Sequence, residues 1–228
     1  MTSFIERVEG VVARSPHFRE LSMPARTTLA HGTCEKGLAD RERFDGTFAI
    51  VVDGALQISV ASRERATTIA VLGAGSFFSV SALVGTAPPA PLCRSIGRTT
   101  LAVVTSARLR AMLHGEGVLR AHVGRLIGMR LDATVALFAD ATHASLPRRL
   151  ARRLMAQLLA SGTPASPPIE LPVTQSMLGE LVGASRSSLH EELSLLEHAG
   201  VLRRAYRRIV VLDPERLRHA AGRNVAPL

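Results

Sequence analysis

The 228-residue sequence has only two cysteines, Cys34 and Cys93, and no tryptophan. Two cysteines without CxxC spacing are too few for a four-thiolate iron–sulfur cluster. No stretch reaches the roughly 18 consecutive apolar residues of a membrane helix, and the start, MTSFIERVEG, lacks the cationic and apolar segments of a secretion signal. We therefore expect a cytoplasmic protein with no membrane partner.

Lysine is almost absent, and arginine carries the positive charge. Of 28 basic residues only Lys36 is lysine, and the net charge is +9. Residues 143–228 hold 12 arginines against 7 acidic residues, which is more than half of that surplus. This balance favours a polyanionic partner, because arginine can donate two hydrogen bonds at once to a phosphate group or to the edge of a guanine. A GC-rich genome is an equally good reason for the arginine preference.

The segment from Val173 to Leu212 has the pattern of a helix-turn-helix followed by a basic β-hairpin. Thr174 is a candidate N-cap of a first helix that should stop near Gly183, and Ser185 is the candidate N-cap of a second. Apolar residues at helical spacing give the two helices facing inner sides: Leu178, Leu181, Val182, Leu189, Leu193 and Leu196. This spacing predicts two helices that share a small core.

The outer face of the second helix is polar, as expected of a recognition helix whose first turns enter the major groove. Two strands, Val201–Arg204 and Arg208–Leu212, should follow, joined at Ala205–Arg207. The predicted DNA-binding residues are Thr174, Gln175, Arg186, Ser187, Ser188, His190, Glu191, Arg207 and Arg208. The alternative is a helical hairpin and strand pair that serve packing alone.

Short β-prone segments separated by glycine occupy the region from Thr33 to Thr105. The predicted strands are Thr47–Val52, Leu56–Val60, Thr67–Leu72 and Leu101–Thr105, with turns at Asp53–Gly54 and Gly73–Gly75. Regular spacing of this kind predicts a small antiparallel, jelly-roll-like β-roll. An N-terminal helix with Phe4, Ile5, Val8, Val11 and Val12 on one face should cover an end of it.

From Ala107 to about Asp140 the sequence has no proline and predicts one long helix. Its approximate a/d positions are Leu119, Val123, Leu126, Arg130, Ala133 and Leu137, and Ile127, Met129 and Leu131 widen the apolar stripe. Residues His143–Pro147 break the pattern and are a candidate hinge. In the next helix, predicted over Arg148–Ala160, the arginines at 148, 149, 152 and 153 either reach phosphates or form a solvated face.

Two groups of segments resemble the Crp-Fnr family of bacterial transcription regulators. GASRSSLHEELSLLEHAGVLRR and RIVVLDPERL resemble its winged-helix domain, and FAIVVDGALQISV followed by GAGSFF resembles its cyclic-nucleotide-binding β-roll. The resemblance implies an α+β fold in three parts: a helix and β-roll sensor domain at 1–106, a dimerisation helix at 107–142, and a winged helix-turn-helix at 143–228. It also implies a parallel homodimer that binds a roughly palindromic operator in promoter DNA and contacts RNA polymerase. An intramolecular core helix is the alternative to dimerisation.

The sensing site departs from this family. In the family, an arginine-serine pair and a glutamate hold the cyclic nucleotide, and Arg94 and Ser95 match the pair. The place of the ribose-binding glutamate falls at Val80, and no acidic residue occurs between Gly73 and Arg94. Pro88, Pro89 and Pro91 also remove backbone donors from the phosphate loop. We therefore expect no ordinary cyclic AMP binding; Arg94 either holds another anionic effector, such as a cyclic dinucleotide, or is structural.

No catalytic residue, metal site or cofactor is predicted. The eight histidines form no H-x-H or H-x-x-x-H set, although a haem sensor stays open because one or two ligands suffice. The alternative function is a metal-dependent β-roll enzyme with a regulatory tail. Where common family members have glutamate and arginine, the recognition helix carries Ser187 and Glu191, which predicts a different operator.

Overall fold

The computed structural model describes residues 3–45, 48–61, 66–79, 92–115, 117–160 and 166–222. The helices are α1 (Phe4–Arg14), α2 (Met23–His31), α3 (Ser106–Gly115), α4 (Gly117–His143), α5 (Leu146–Ala160), α6 (Gln175–Val182), α7 (Arg186–His198) and α8 (Pro214–Ala221). The strands are β1 (Cys34–Leu38), β2 (Phe48–Ala61), β3 (Ala66–Gly73), β4 (Phe77–Phe78), β5 (Leu92–Val104), β6 (Ile169–Leu171), β7 (Leu202–Ala205) and β8 (Arg208–Val211). None of the helices in these ranges is both long and apolar enough to cross a membrane.

The N-terminal strands form the expected antiparallel sheet, in the order β1-β5-β2-β3, with β4 paired to β2. The turn predicted at Asp53–Gly54 is wrong, because β2 continues through these residues and its register with β5 shifts on either side of Asp53. Gly54 has a φ of +80°, and a Cβ there would lie 2.5 Å from the Arg98 carbonyl oxygen. The Asp-Gly pair therefore marks a β-bulge where two strands approach closely. The turn at Gly73–Gly75 follows β3 as predicted.

Helix α1 covers the β-roll, as its apolar spacing predicted. Val8 and Val12 are fully buried and share a core with Phe48 and Ile50 of β2 and with Phe77 of β4. Ser3 and Glu6 form a capping box that fixes the start of the helix. Neither α2 nor β1 was predicted.

The helix predicted from Ala107 to Asp140 corresponds to α3 and α4, and residue 116 between them lies outside the described residues. The predicted a/d positions lie on the inner face of α4, where Leu119, Leu126 and Ala133 are buried within the chain. Leu131, predicted to widen this stripe, is instead exposed on the other side of the helix. Helix α4 ends at His143 and α5 begins at Leu146, which confirms a break at the candidate hinge.

The C-terminal helices α5 to α8 pack with a three-stranded sheet of order β6-β8-β7. Their core continues into the β-roll through Ala55 and Val71. Two polar contacts reinforce this junction: the Gln157 side chain donates to the Val71 carbonyl at 2.8 Å, and Thr68 N–H donates to the Glu180 carboxylate at 2.7 Å. The helix-turn-helix therefore rests against strand β3.

Candidate nucleic-acid interface

Helices α6 and α7 form the predicted helix-turn-helix, and local capping sets its geometry. Thr174 Oγ1 accepts from Met177 N–H at 3.2 Å and Ser185 Oγ accepts from Ser188 N–H at 3.1 Å, so both predicted N-caps are confirmed. Gly183 between the helices is left-handed, with a φ of +63°. This conformation favours glycine and ends α6.

The polar face of α7, predicted to contact DNA, points to solvent. Leu189 and Leu193 are buried on the opposite side of the helix. The predicted contact residues Arg186, Ser187, His190 and Glu191 are exposed, and Ser188 is half-buried. At the start of α6, Gln175 is exposed and Thr174 is half-buried by its capping role. Five of the seven predicted helix-turn-helix residues are thus exposed, and the other two are half-buried.

Arg204 links the recognition helix to the β-hairpin, a connection that sequence reasoning missed. Its guanidinium lies 2.6 Å from the Glu197 carboxylate and 3.1 Å from Nδ1 of His190. The backbone N–H of Arg204 also donates to Glu197, which lowers the pKa of that carboxyl together with the guanidinium. In the sequence, the one indication of this ion pair is that Glu197 stands seven residues before Arg204.

The β-hairpin of β7 and β8 is the predicted wing, with Tyr206 and Arg207 at its turn. Arg207, a predicted DNA contact, instead forms a two-point ion pair with Asp40 of the β-roll, at 2.9 and 3.0 Å. The Arg207 side chain and the backbone N–H of Gly97 lower the pKa of Asp40 to about 2. Arg208, also predicted to reach DNA, pairs with Glu170 of β6 at 2.5 Å.

Both interpretations given for the arginines of α5 are wrong for three of the four. Arg149 donates to the carbonyls of Val182 and Ala144, and Arg152 donates to the carbonyl of Ala221 and pairs with Asp140. Val182 and Ala221 are the last residues of α6 and α8, and Ala144 follows α4. These side chains therefore satisfy helix C-termini, whose carbonyls lack intrahelical partners and attract cations. Arg153 also lies inward, and only Arg148 is exposed.

The predicted effector pair is split between the two faces of β5. Arg94 is exposed, whereas Ser95 is buried and its hydroxyl donates to the carbonyl of Ala39. Adjacent residues of a strand point to opposite faces, which explains the difference. Ser95 thus positions the loop before β2. Val80 and the prolines at 88, 89 and 91 lie outside the described residues.

Among the described residues, no three His, Cys, Asp or Glu side chains are grouped as metal ligands. His17 and His122 are buried in an aromatic cluster with Phe18 and Phe77. Burial lowers the pKa of His122, which favours its neutral form. These two histidines pack within the N-terminal core.

Comparison with known proteins agrees with this geometry. Residues 148–220 match the sequence model of the Crp-like helix-turn-helix domain. The CRP-like cAMP-activated global transcriptional regulator of Mycobacterium tuberculosis is 22% identical over 175 residues, covering 75% of this chain and 78% of that protein. The C-terminal part of the chain therefore carries a Crp-like helix-turn-helix domain, and three quarters of the chain is similar to a CRP-like transcription regulator.

Solved structures of bacterial regulators share the fold over most of the chain. A CRP-family transcriptional regulator from Thermus thermophilus superposes with a TM-score of 0.64 at 20% identity, covering 85% of this chain and all of that one. The c-di-GMP-responsive global regulator CLP of Xanthomonas campestris gives a TM-score of 0.62 at 18% identity, covering 84% of this chain and 99% of that one. The Crp-Fnr arrangement therefore includes both the β-roll and the winged helix.

Proposed function

We propose that this chain is a Crp-Fnr regulator that binds promoter DNA in a sequence-specific manner as a homodimer. The exposed polar face of α7 carries the proposal: Arg186, Ser187, His190 and Glu191 are accessible while the other side of the helix is anchored in a core. Arg186 at the first turn reads a guanine edge, and Glu191 accepts from cytosine. Thr174 and Gln175 are placed for phosphate, at a helix N-terminus. The resulting operator differs from the usual one of the family.

The dimer forms through an outer stripe on α4, defined as Gly124, Gly128, Leu131, Val135 and Phe138. Their four-three spacing is that of a coiled-coil seam. At 100° per residue the outer stripe lies opposite the inner face that packs within the chain. Leu131, Val135 and Phe138 are 62%, 61% and 74% exposed. A second copy of α4 would cover this apolar surface.

The glycines of the outer stripe support a close helix pair. A Cβ added at Gly124 or Gly128 would meet no atom within 4 Å in the protomer. Glycine inside an exposed helix costs roughly 1 kcal/mol relative to alanine, so the protomer alone gives no packing reason for either. Two parallel α4 helices would bring two recognition helices about 34 Å apart, which requires a roughly palindromic operator.

DNA binding in this proposal is gated by the position of the winged helix. The ion pair with Asp40 directs Arg207 toward the β-roll. A ligand or partner that binds better to a form lacking this pair shifts the population toward the DNA-binding form. RNA polymerase is the proposed partner at the promoter.

The relatives respond to cAMP in one case and to c-di-GMP in another, as their names state. We propose that this chain does not bind cAMP in the usual way, because valine at position 80 cannot accept from a ribose hydroxyl. Losing such a bond weakens binding by about one to two orders of magnitude. Exposed Arg94 would take a different anionic effector, while Ser95 supports the neighbouring loop.

Selection of bound genomic fragments, followed by titration of the selected operator and of random DNA, tests the DNA-binding role. Arg186→Ala should weaken operator binding by about 1–3 kcal/mol and leave random DNA nearly unaffected. Arg208→Ala should weaken both alike and reduce the salt dependence. A chain that shows no preference for any fragment at moderate salt, with cAMP, cGMP or c-di-GMP added in turn, would contradict the proposal.

A further inference from the structure

A cavity of about 320 Å³ lies at the hinge, enclosed by α4, α5 and the end of α6. We call it the hinge cavity. Its apolar wall includes Ala136 and Leu137 of α4, Ala156 of α5 and Leu181 of α6. The volume is at the lower end of the range for small-molecule pockets. The cavity can therefore hold a compact ligand with an apolar part.

The polar lining of the hinge cavity has an excess of positive charge. Three guanidinium groups, from Arg149, Arg152 and Arg153, face two carboxylates, from Asp140 and Glu180. Asp140 already pairs with Arg152, and Glu180 accepts from the backbone of β3. Both carboxylates thus have partners already, and three guanidinium groups against two carboxylates leave one net positive charge in the lining.

Within this set, Arg153 has a donor that is both buried and unused. Its Nη1 atom is buried and donates to no group among the residues that the structure describes. Burial lowers the pKa of Arg153 to about 10, and nearby Asp140 opposes this only in part. A buried guanidinium N–H without an acceptor is unfavourable, since it loses its bonds to water. An anion in the cavity would supply the missing acceptor.

We propose that the hinge cavity binds a small organic anion, with its phosphate or carboxylate group on Nη1 of Arg153 and its apolar part on the alanine-rich wall. A charge-assisted hydrogen bond of this kind is among the stronger polar contacts in proteins. The apolar wall and the guanidinium group together determine ligand selectivity. An inorganic anion has no hydrocarbon part to pack on the apolar wall and should bind more weakly than an organic anion.

A ligand in this position would touch the dimerisation helix and the helix-turn-helix at once. It would therefore bias the angle between α4 and the winged helix. The cavity lies on the inner face of α4, opposite the outer stripe, so dimerisation leaves it open. This regulatory consequence rests on the proposed DNA-binding function, whereas binding of the anion does not.

Isothermal titration calorimetry of the full chain with butyl phosphate, without DNA, tests the site. Inorganic phosphate tests the charged group alone, and butanol tests the hydrocarbon chain alone. Both should bind more weakly than butyl phosphate. Arg153→Met keeps the apolar stem and should weaken butyl phosphate binding at least tenfold. Arg148→Met is the matched control, because Arg148 lies on the same helix but is exposed and outside the lining; it should bind like the wild type.

Ala136→Phe gives a second variant that fills the cavity from α4 without altering any arginine, and it should also remove binding. Without ligand, Arg153→Met should melt no lower than wild type, because it removes an unpaired buried group. Equal binding by Arg153→Met and Arg148→Met, or undiminished binding by Ala136→Phe, would overturn the proposal. So would the absence of butyl phosphate binding to wild type in the millimolar range, whatever the outcome with DNA.

Discussion

Truncating one aromatic side chain of the outer stripe should weaken the proposed dimer by a calculable amount. Phe138 is 74% exposed in the protomer. Complete burial of such a side chain contributes about 1.5–3 kcal/mol, so covering the exposed three quarters contributes about 1–2 kcal/mol. Because each dimer contains two copies, Phe138→Ala should destabilise it by about 2–4 kcal/mol, which raises the dimer dissociation constant roughly 30- to 700-fold.

Sedimentation equilibrium over a series of protein concentrations measures this constant directly. The helix offers a matched pair of controls in Val135, on the outer stripe and 61% exposed, and Val118, off it and 55% exposed. Val135→Asp would place two carboxylates in the seam and should give monomers, whereas Val118→Asp should dimerise like wild type. If Phe138→Ala and Val135→Asp dimerise as tightly as the wild type, or if Val118→Asp disrupts the dimer equally, the assignment of the outer stripe is wrong.

Three further predictions concern the β-roll and its junction with the wing. Gly54→Ala should destabilise the chain by more than about 1 kcal/mol in denaturant titration, because the φ of +80° and a carbonyl 2.5 Å from the new Cβ both oppose a side chain. Exposed Cys34 should react with iodoacetamide at neutral pH, whereas burial raises the pKa of Cys93 to about 12 and should protect it until the chain unfolds. Asp40→Asn should release Arg207 and strengthen DNA binding by less than about tenfold, as measured by fluorescence anisotropy, since exposed ion pairs are weak.

The helix-turn-helix could be predicted because its signals are local. Thr174 and Ser185 are N-caps, and Gly183 takes the left-handed conformation that ends a helix. Each of these signals acts within three or four residues of the chain. The two strands of the wing were likewise located to within one residue at each end. Short-range sequence signals were therefore enough to predict the helices and strands of the helix-turn-helix and the wing.

The errors arose where distant parts of the chain decide the outcome. An Asp-Gly pair favours a tight turn, but the close approach of β5 at Gly54 makes it a bulge in a continuous strand. Arg149 and Arg152 read as surface charge, yet they bind helix ends that only the tertiary fold brings near α5. The inner stripe of α4 was recognised, but not that Gly124 and Gly128 belong to the opposite face.

The ion pairs of the wing would respond differently to a rotation of the C-terminal module relative to the β-roll. Arg204 pairs with Glu197 and Arg208 with Glu170, all within the C-terminal module, so these contacts persist when the module rotates as a unit. Arg207 alone among the three reaches the β-roll. Its pair with Asp40 must break when the module turns, along with the hydrogen bonds that Gln157 and Glu180 make to β3. Because an exposed ion pair contributes little while apolar burial scales with area, we expect the packing at β3 to set most of the free-energy cost of such a turn. The turn would make Arg207 available to DNA phosphates.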